Sequence, residues 1–430
     1  MGTKDITILG AGYVGITLAA VFAKEGFNVI LNDINEIKIR DINKGISPIN
    51  ELEVKEVFLK YSGNIKGMLN LKDSIDGVNN IFISVGTPSL PSGEVDLSYI
   101  HKVIEDISNL KKNTTDYFMI VIRSTIPPTT SSLLIEKIEK ITGKVCGVDF
   151  GFCMNPEFLR EGTSITDFYN PPFTIIGESD EKAGNELKKI YNLCSITENI
   201  FKINLAEAEI FKYLNNVFHG LKISFTNEVM RLSNEYSIDS RKIMEIFVTD
   251  NKLNLSPYYM RPGTPFGGSC LPKDTYATIN SLAKKTKLPL IEGILKSNDE
   301  HIDFFVEKIT QFNKKNILFS NIAFKKNTDD YRYSPYIIIL KKIIEKGFTC
   351  DFLDKHFNEL LVGANREYIL SLGIKKHYVD NVNLEDYSVI VICSDLCVDE
   401  VELKKFSGLI IDINGTYRHL FGHMKNYILF

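Results

Sequence analysis

Asp5-Ile-Thr-Ile-Leu-Gly10-Ala-Gly-Tyr-Val-Gly15-Ile-Thr-Leu-Ala-Ala-Val-Phe-Ala-Lys24 is the stretch that decides the fold. Asp5 to Leu9 reads as a short buried strand, and the apolar residues after Gly15 continue with helical character until Gly26 stops them. Asn28-Val-Ile-Leu-Asn-Asp33 then reads as a second strand, which sets Gly10, Gly12 and Gly15 between strand and helix inside a βαβ unit. In that setting the three glycines permit a tight turn, close backbone approach to a pyrophosphate and close helix packing. Asp33 ends the second strand, where a carboxylate accepts hydrogen bonds from ribose hydroxyls and repels a 2′-phosphate. The reading is a dinucleotide site that takes NAD rather than NADP.

Working outward, further strands are expected at residues 80–85 and 117–123, each ended by a turn signal and separated by helical patterns. This predicts a doubly wound parallel sheet with helices on both faces. Val85-Gly-Thr-Pro88 and Arg123-Ser-Thr-Ile126 close two of its strands, so Thr87 and Thr125 stand where ligands of open α/β sheets gather. From Ala206 to about Tyr236 the only helix breaker is Gly220, which predicts one long helix with Lys212, Asn216 and His219 along one face and Asn227 two turns beyond. Taken alone, such a polar stripe is more often solvated surface than a site. A second strand and helix alternation begins near Lys315, with strands expected at residues 317–319, 349–354, 388–393 and 409–413 and a helix at 336–346.

The chain has 430 residues, more than one hydrophobic core usually organises. It is 44% hydrophobic and 24% charged, which fits a folded globular protein rather than a disordered or collagen-like one. Fifty basic and fifty-four acidic residues leave a formal charge of −4 without a basic run, which argues against a nucleic-acid partner. No apolar run approaches the roughly 20 residues of a membrane span, and no basic-then-apolar leader opens the sequence, so a cytoplasmic location and no membrane partner are expected. The seven cysteines are scattered without paired C-x-x-C spacing, as reduced thiols would be, and no metal site is expected.

One cysteine differs in its setting. In Phe266-Gly-Gly-Ser-Cys-Leu-Pro-Lys-Asp274 two glycines lead into an expected helix start at Cys270, with Lys273 three residues on. A helix N-terminus and a nearby ammonium both favour thiolate over thiol, as a nucleophile requires, whereas an inert core cysteine would explain neither Lys273 nor Asp274. Asn155-Pro-Glu-Phe-Leu-Arg-Glu-Gly162 sets Glu157 and Glu161 four residues apart beside a proline turn. On their own these would read as surface acids.

Gly10 to Gly15, Val85 to Pro88, Arg123 to Thr125, Asn155 to Gly162, Lys212 with Asn216, Phe266 to Asp274, and Phe324-Lys325 with Thr328-Asp-Asp330, Arg332, Ser334 and Pro335 occur in one order. With that series the chain resembles the UDP-glucose/GDP-mannose dehydrogenase family over nearly its whole length. Residues 250–256, 258–263 and 363–369 are most similar to the branch that acts on GDP-mannose.

The resemblance implies two Rossmann-like α/β domains joined by a long central helix and a helical dimerisation region. The expected division is 1–203 for NAD, 204–310 for dimerisation and 311–430 for the nucleotide sugar. It implies a four-electron oxidation of a nucleotide sugar's C6 alcohol to a uronate, with GDP-mannose as first substrate and UDP-glucose as second. The aldehyde is captured by Cys270 as a thiohemiacetal, oxidised to a thioester and hydrolysed. Lys212 and Asn216 would stabilise charge on the C6 oxygen, Thr125 and Asp274 would position water or substrate, and Glu157 would be the base. Tyr13, Val14, Asp33, Lys38, Thr87, Thr125, Glu161, Lys273 and Arg332 would lie near the cofactor. Glu161, His219, Asn227, Tyr258, Tyr259, Arg261 and Lys325 would contact substrate, with Arg261 reaching the partner's site in a homodimer. The family's Pro-Gly after Glu51 is Leu52-Glu53 here, family glycines are replaced by Thr129, Leu318 and Asn321, and Thr264-Pro265 stands for a usual Phe-Ala. None of these departures removes a catalytic group.

Overall fold

The computed structural model describes residues 4–251, 260–282, 288–357, 364–373, 377–380 and 382–430. The chain groups into two compact units, Met1–Leu214 with Asn280–Lys284, and Asn215–Ile279 with Lys285–Phe430.

The first unit is built on an eight-stranded sheet. Its strands are β1 (Asp5–Leu9), β2 (Asn28–Asn32), β3 (Ile65–Met68), β4 (Asn80–Ile83), β5 (Phe118–Ile122), β6 (Phe150–Met154), β7 (Thr174–Glu178) and β8 (Ile200–Asn204). They lie in the order β3-β2-β1-β4-β5-β6-β7-β8, parallel except where β7 runs against β6. The first six follow the 3-2-1-4-5-6 order of dinucleotide-binding sheets. Central strands buried on both faces read as unbroken apolar runs, and Phe118 to Ile122 is buried at every residue. One face packs on the helix Tyr13–Lys24, hereafter α1, through Ile16, Val21 and Phe22, while the other carries Ile100, Ile104, Leu134 and Ile138.

In the second unit, β9 (Asn316–Ser320), β10 (Thr349–Leu353), β11 (Val389–Ile392), β12 (Leu409–Asp412) and β13 (Tyr427–Ile428) form an all-parallel sheet ordered β10-β9-β11-β12-β13. That is the other common doubly wound order, 2-1-3-4-5. The two expected α/β folds are therefore both present. The long helix runs from Leu205 to Glu235, one residue from its expected start.

The two sheets repeat one local bond. After β1 and β2, the Ala11 amide donates to Asp33 Oδ2 at 2.7 Å. After β9 and β10, the Ala323 amide donates to Asp354 Oδ2 at 3.2 Å. Asp33 keeps part of its side chain in solvent, whereas Asp354 is buried beneath the Tyr331 hydroxyl, and burial raises its carboxyl above the ordinary range.

The glycine replacements are legible in the backbone. Asn321 has φ +59°, a conformation that asparagine tolerates. Thr129 has φ +72° just before the helix Thr130–Thr142, and a β-branched residue there is strained. The amides of Thr129 and Ser131 both donate to the buried Glu209 carboxylate at 2.7 Å, which holds the turn. Thr129→Gly is expected to raise stability by about 0.5–1 kcal/mol, the relief of left-handed strain exceeding the added unfolded-state entropy. A lower denaturant midpoint in this variant would contradict the strain.

Candidate active site

The glycine turn of the first unit has three different demands. An added Cβ at Gly15 would meet the Gly10 carbonyl at 1.9 Å, and at Gly10, where φ is +104°, it would meet the Ser84 carbonyl at 2.6 Å. At Gly12 a Cβ would meet nothing within 4 Å, so packing does not require glycine there. A pyrophosphate approaching the N-terminus of α1 does require it, and the residues fit NAD on that ground. Asp33 is oriented for ribose by the amides of Ala11 at 2.7 Å and Asn35 at 2.9 Å. Lys38 donates to the Ala11 carbonyl at 3.0 Å and lies 3.9 Å from Asp33. Val14 follows Tyr13 on the first turn of α1, and Thr87, after β4, is buried. Thr125 follows β5 and is half-buried; its neighbour Ser124 donates to the Val85 carbonyl at 2.7 Å.

The loop after β6 carries Glu157 and Glu161. Arg123, itself buried, donates to the Asn155 carbonyl at 3.0 Å and side-chain oxygen at 2.6 Å, which fixes the start of the loop. Phe158 packs edge-on against Phe173 and Phe211. Lys212 donates to Glu157 Oε1 at 2.9 Å, and the Leu159 amide donates to Oε2 at 2.8 Å. Both members of this ion pair are largely removed from water. Burial pushes the Glu157 carboxyl up, but the Lys212 ammonium, the hydrogen bonds and Arg123 together bring it below its ordinary value. The Glu157 carboxylate is thus held in its ionised form beside Lys212.

In the second unit, Cys270 occupies the residue before the helix Leu271–Ala277 and is exposed. Its carbonyl accepts from the Asp274 amide at 2.9 Å. Asp274 is buried; it accepts from the Asn216 side-chain amide, and the Lys273 ammonium lies 3.5 Å away. Asn216 and Asp274, 58 residues apart in the sequence, are therefore joined directly. Lys273 is paired with Asp274 at the same helix start as Cys270.

The segment leading to Cys270 is clamped on three sides within this unit. Asn227 accepts from the Gly263 amide at 3.2 Å and donates to the Thr264 carbonyl at 3.3 Å. Asn298 brackets the Phe266 amide and carbonyl at 2.8 and 3.0 Å, and His301 Nε2 lies 2.7 Å from the Gly263 carbonyl. Burial pushes His301 down to about 3, so its ring is neutral and donates there. Thr264 shares its hydroxyl with Tyr336, at 2.7 Å, and with Asn414, contacts a phenylalanine could not make. A Cβ at Gly267 would meet the Tyr333 carbonyl at 2.4 Å, and Gly268 has φ +78° against the Phe324 ring.

Of the remaining expected substrate residues, Arg261 is exposed and His219 and Lys325 are half-buried. Arg332 makes a bidentate pair with Asp330 at 2.9 and 2.6 Å. Tyr258 and Tyr259 lie outside the described residues. Sequence reading does not single out Glu209, Asn298, His301 or Asn414; their partners are dozens of residues away, and no local spacing signals them. Among the described residues, no group of three or more His, Cys, Asp or Glu could hold a metal ion, and no helix is long and apolar enough to cross a membrane.

Comparison with known proteins matches three family models in chain order. Residues 4–195 match the NAD binding domain, 206–300 the central domain and 320–417 the UDP binding domain of the UDP-glucose/GDP-mannose dehydrogenase family. GDP-mannose 6-dehydrogenase of Pseudomonas aeruginosa is 36% identical over 428 residues, covering 96% of this chain and 97% of that one. UDP-glucose 6-dehydrogenase of Rickettsia bellii is 34% identical over 80% of this chain and 79% of its own. The solved structure of a UDP-glucose dehydrogenase from Pyrobaculum islandicum superposes with a TM-score of 0.87 at 27% identity, covering 99% of this chain and 97% of that one.

Proposed function

Because the chain belongs to the UDP-glucose/GDP-mannose dehydrogenase family, we propose that it oxidises GDP-mannose at C6 to GDP-mannuronate. It is an NAD-dependent nucleotide-sugar 6-dehydrogenase. The covalent four-electron course is carried by one observation: Cys270 is the one exposed cysteine of the seven, at a helix start beside Lys273 and Asp274.

In this reading Lys212 and Asn216 stabilise negative charge on the C6 oxygen as its proton leaves. Cys270 then adds to the aldehyde carbon, which holds the intermediate between the two oxidations. Glu157 takes a proton from the water that cleaves the thioester, with Thr125 and Asp274 positioning water and substrate. NAD, when bound against Asp33 and the Gly12 turn, supplies the hydride acceptor for each oxidation. Tyr13, Val14, Lys38, Thr87, Glu161, Lys273 and Arg332 belong to its surroundings. His219, Asn227, Tyr258, Tyr259, Arg261 and Lys325, with Glu161, belong to the sugar nucleotide. Asn227 acts there through the Gly263–Thr264 backbone it holds.

The division into 1–203, 204–310 and 311–430 and a cytoplasmic location are part of the same reading. So is a homodimer in which Arg261 serves the partner's site. Its support is the apolar surface of the second unit, where Phe218, Phe225, Ile243 and Ile246 are 41, 43, 39 and 65% exposed.

UDP-glucose is the second reading, favoured by the UDP-glucose dehydrogenases among the relatives. A panel of GDP-mannose, UDP-glucose and UDP-N-acetylmannosamine, read by NADH absorbance and product mass, tests both. GDP-mannose is expected to give the highest kcat/KM and two NADH per sugar. One NADH per sugar would remove the four-electron course, and preference for another sugar would remove the substrate.

A further inference from the structure

The base loop is pinned at its far end by a carboxylate with no role in the reaction just described. Glu51 precedes the helix Leu52–Lys60 and is 6% exposed. Its Oε1 accepts from the Ser164 amide at 2.8 Å and the Ser164 hydroxyl at 2.7 Å. Its Oε2 accepts from the Tyr13 hydroxyl at 2.6 Å and the Gly162 amide at 3.1 Å. Four donors from two separate segments thus converge on one buried carboxylate, and no lysine, arginine or histidine pairs with it among the described residues.

The two segments are those that the reading above sets around NAD, one through Tyr13 and the other through Glu161. Tyr13 opens α1 directly after Gly12, and its hydroxyl also lies 3.0 Å from the Arg160 carbonyl. Burial, reinforced by the hydrogen bond to Glu51, raises the Tyr13 phenol far above its ordinary value, so it stays a donor at any working pH. Gly162 and Ser164 end the loop whose middle holds Glu157 and Glu161. Its start is fixed separately by Arg123 on Asn155. A buried carboxylate is costly unless several hydrogen bonds satisfy it, and a neutral loop could be pinned by neutral groups. Charge here gives short, directional bonds from Tyr13 and Ser164 at once.

We propose that Glu51 is a positioning residue that couples the cofactor turn to the base loop, so that NAD seated at Gly12–Tyr13 sets the placement of Glu157 and Glu161. The inference rests on the dehydrogenase reading above. Glu51 is buried and spends both carboxylate oxygens on Tyr13, Gly162 and Ser164, so it acts through them. Small displacements of a catalytic loop cost large factors in rate, which sets the size of the effect.

The test is Glu51→Gln, of equal size, whose amide NH2 cannot accept from Tyr13 and Gly162, compared with Tyr13→Phe, which removes one donor, and with Glu157→Gln. Glu51→Gln is expected to melt cooperatively and to lower kcat by roughly 20-fold or more, with KM for the sugar nucleotide changed by less than about threefold. Intact-protein mass should show the acyl-enzyme on Cys270 accumulating during turnover, as in Glu157→Gln. Amide exchange at residues 160–164 should slow on adding NAD to the unmodified protein and not in Glu51→Gln. Tyr13→Phe should show the same pattern in smaller measure. Unchanged kcat, or a loss that only follows the folded fraction without acyl-enzyme, overturns the inference. So does NAD protection of 160–164 that survives the substitution. The dehydrogenase reading fails separately, if the unmodified protein forms no NADH and Glu157→Gln forms no adduct; the exchange comparison with NAD still decides the coupling.

Discussion

Cys270→Ser is expected to lower uronate formation by roughly three orders of magnitude or more while nucleotide binding survives. Serine preserves size at the residue before the Leu271–Ala277 helix, but its hydroxyl has a far higher pKa than a thiol and gives no thioester. The other six cysteines cannot substitute. Cys153, Cys194, Cys350 and Cys393 are buried, and Cys146 and Cys397 are half-buried. Burial pushes Cys194 and Cys350 up to about 12 and Cys397 up to about 11, and raises Cys146, Cys153 and Cys393 as well. A thiol held protonated is neither nucleophile nor alkylation target near neutral pH. Brief treatment with iodoacetamide at neutral pH should therefore modify Cys270 first, and peptide mass mapping reads the site. Undiminished four-electron oxidation by Cys270→Ser would remove the covalent course; first labelling at another cysteine would remove the assignment.

Lys212→Met should combine a large catalytic loss with a stability loss of about 3–5 kcal/mol, because it strips the buried Glu157 carboxylate of its ion-pair partner and leaves it only the Leu159 amide and the Arg123 charge. The two side chains are only 5 and 11% exposed, so solvent does little to screen the loss. In the unmodified protein Glu157 is held below its ordinary value, and its contribution is present above the unfolded carboxyl range, about 4.3, and lost as pH falls through the lower folded value. Without Lys212 the burial effect dominates and the sign reverses: the folded group titrates above the unfolded one, and the penalty grows as pH rises past about 4.3. Melting temperatures of variant and parent should thus converge in acid and separate toward neutrality. Lys212→Met/Glu157→Gln should recover most of the stability and none of the turnover. Equal melting at neutral pH would mean that the ion pair is not buried in solution.

The parts of this molecule that the sequence announces are those with short-range causes. The glycine turn, Asp33 and the strands β1, β2, β4 and β5 are encoded within a few residues of themselves, as are β9 to β12, and the structure returns them within a residue or two. The strand β3 is not visible in the sequence because Lys66 and Gly67 interrupt its apolar run, and β8, half-exposed along its length, lacks the apolar signal of a central strand. The roles proposed for Cys270, Glu157 and Lys212 come from the sequence as well, because each has a recognisable neighbour or matches a family series. Arg123 is visible as part of a motif, but its grip on Asn155 is not. Glu51, Asn298 and His301 are silent because the groups they hold are 32 to 113 residues away in the chain. Hydrogen bonds of that span are properties of the packed chain rather than of any window.

The paired bonds of Asp33 with Ala11 and Asp354 with Ala323 show the same device kept as a socket in one sheet and plugged in the other. Tyr331 caps the second acid and Asp354 has only 2% of its surface left, so no ribose hydroxyl can reach it without displacing a core tyrosine. The second copy of the doubly wound motif therefore offers no open carboxylate at the position Asp33 holds in the first. In the second sheet the same bond is masonry: it ties the end of β10 to the turn after β9, and a nucleotide held by that sheet would be read elsewhere along its rim.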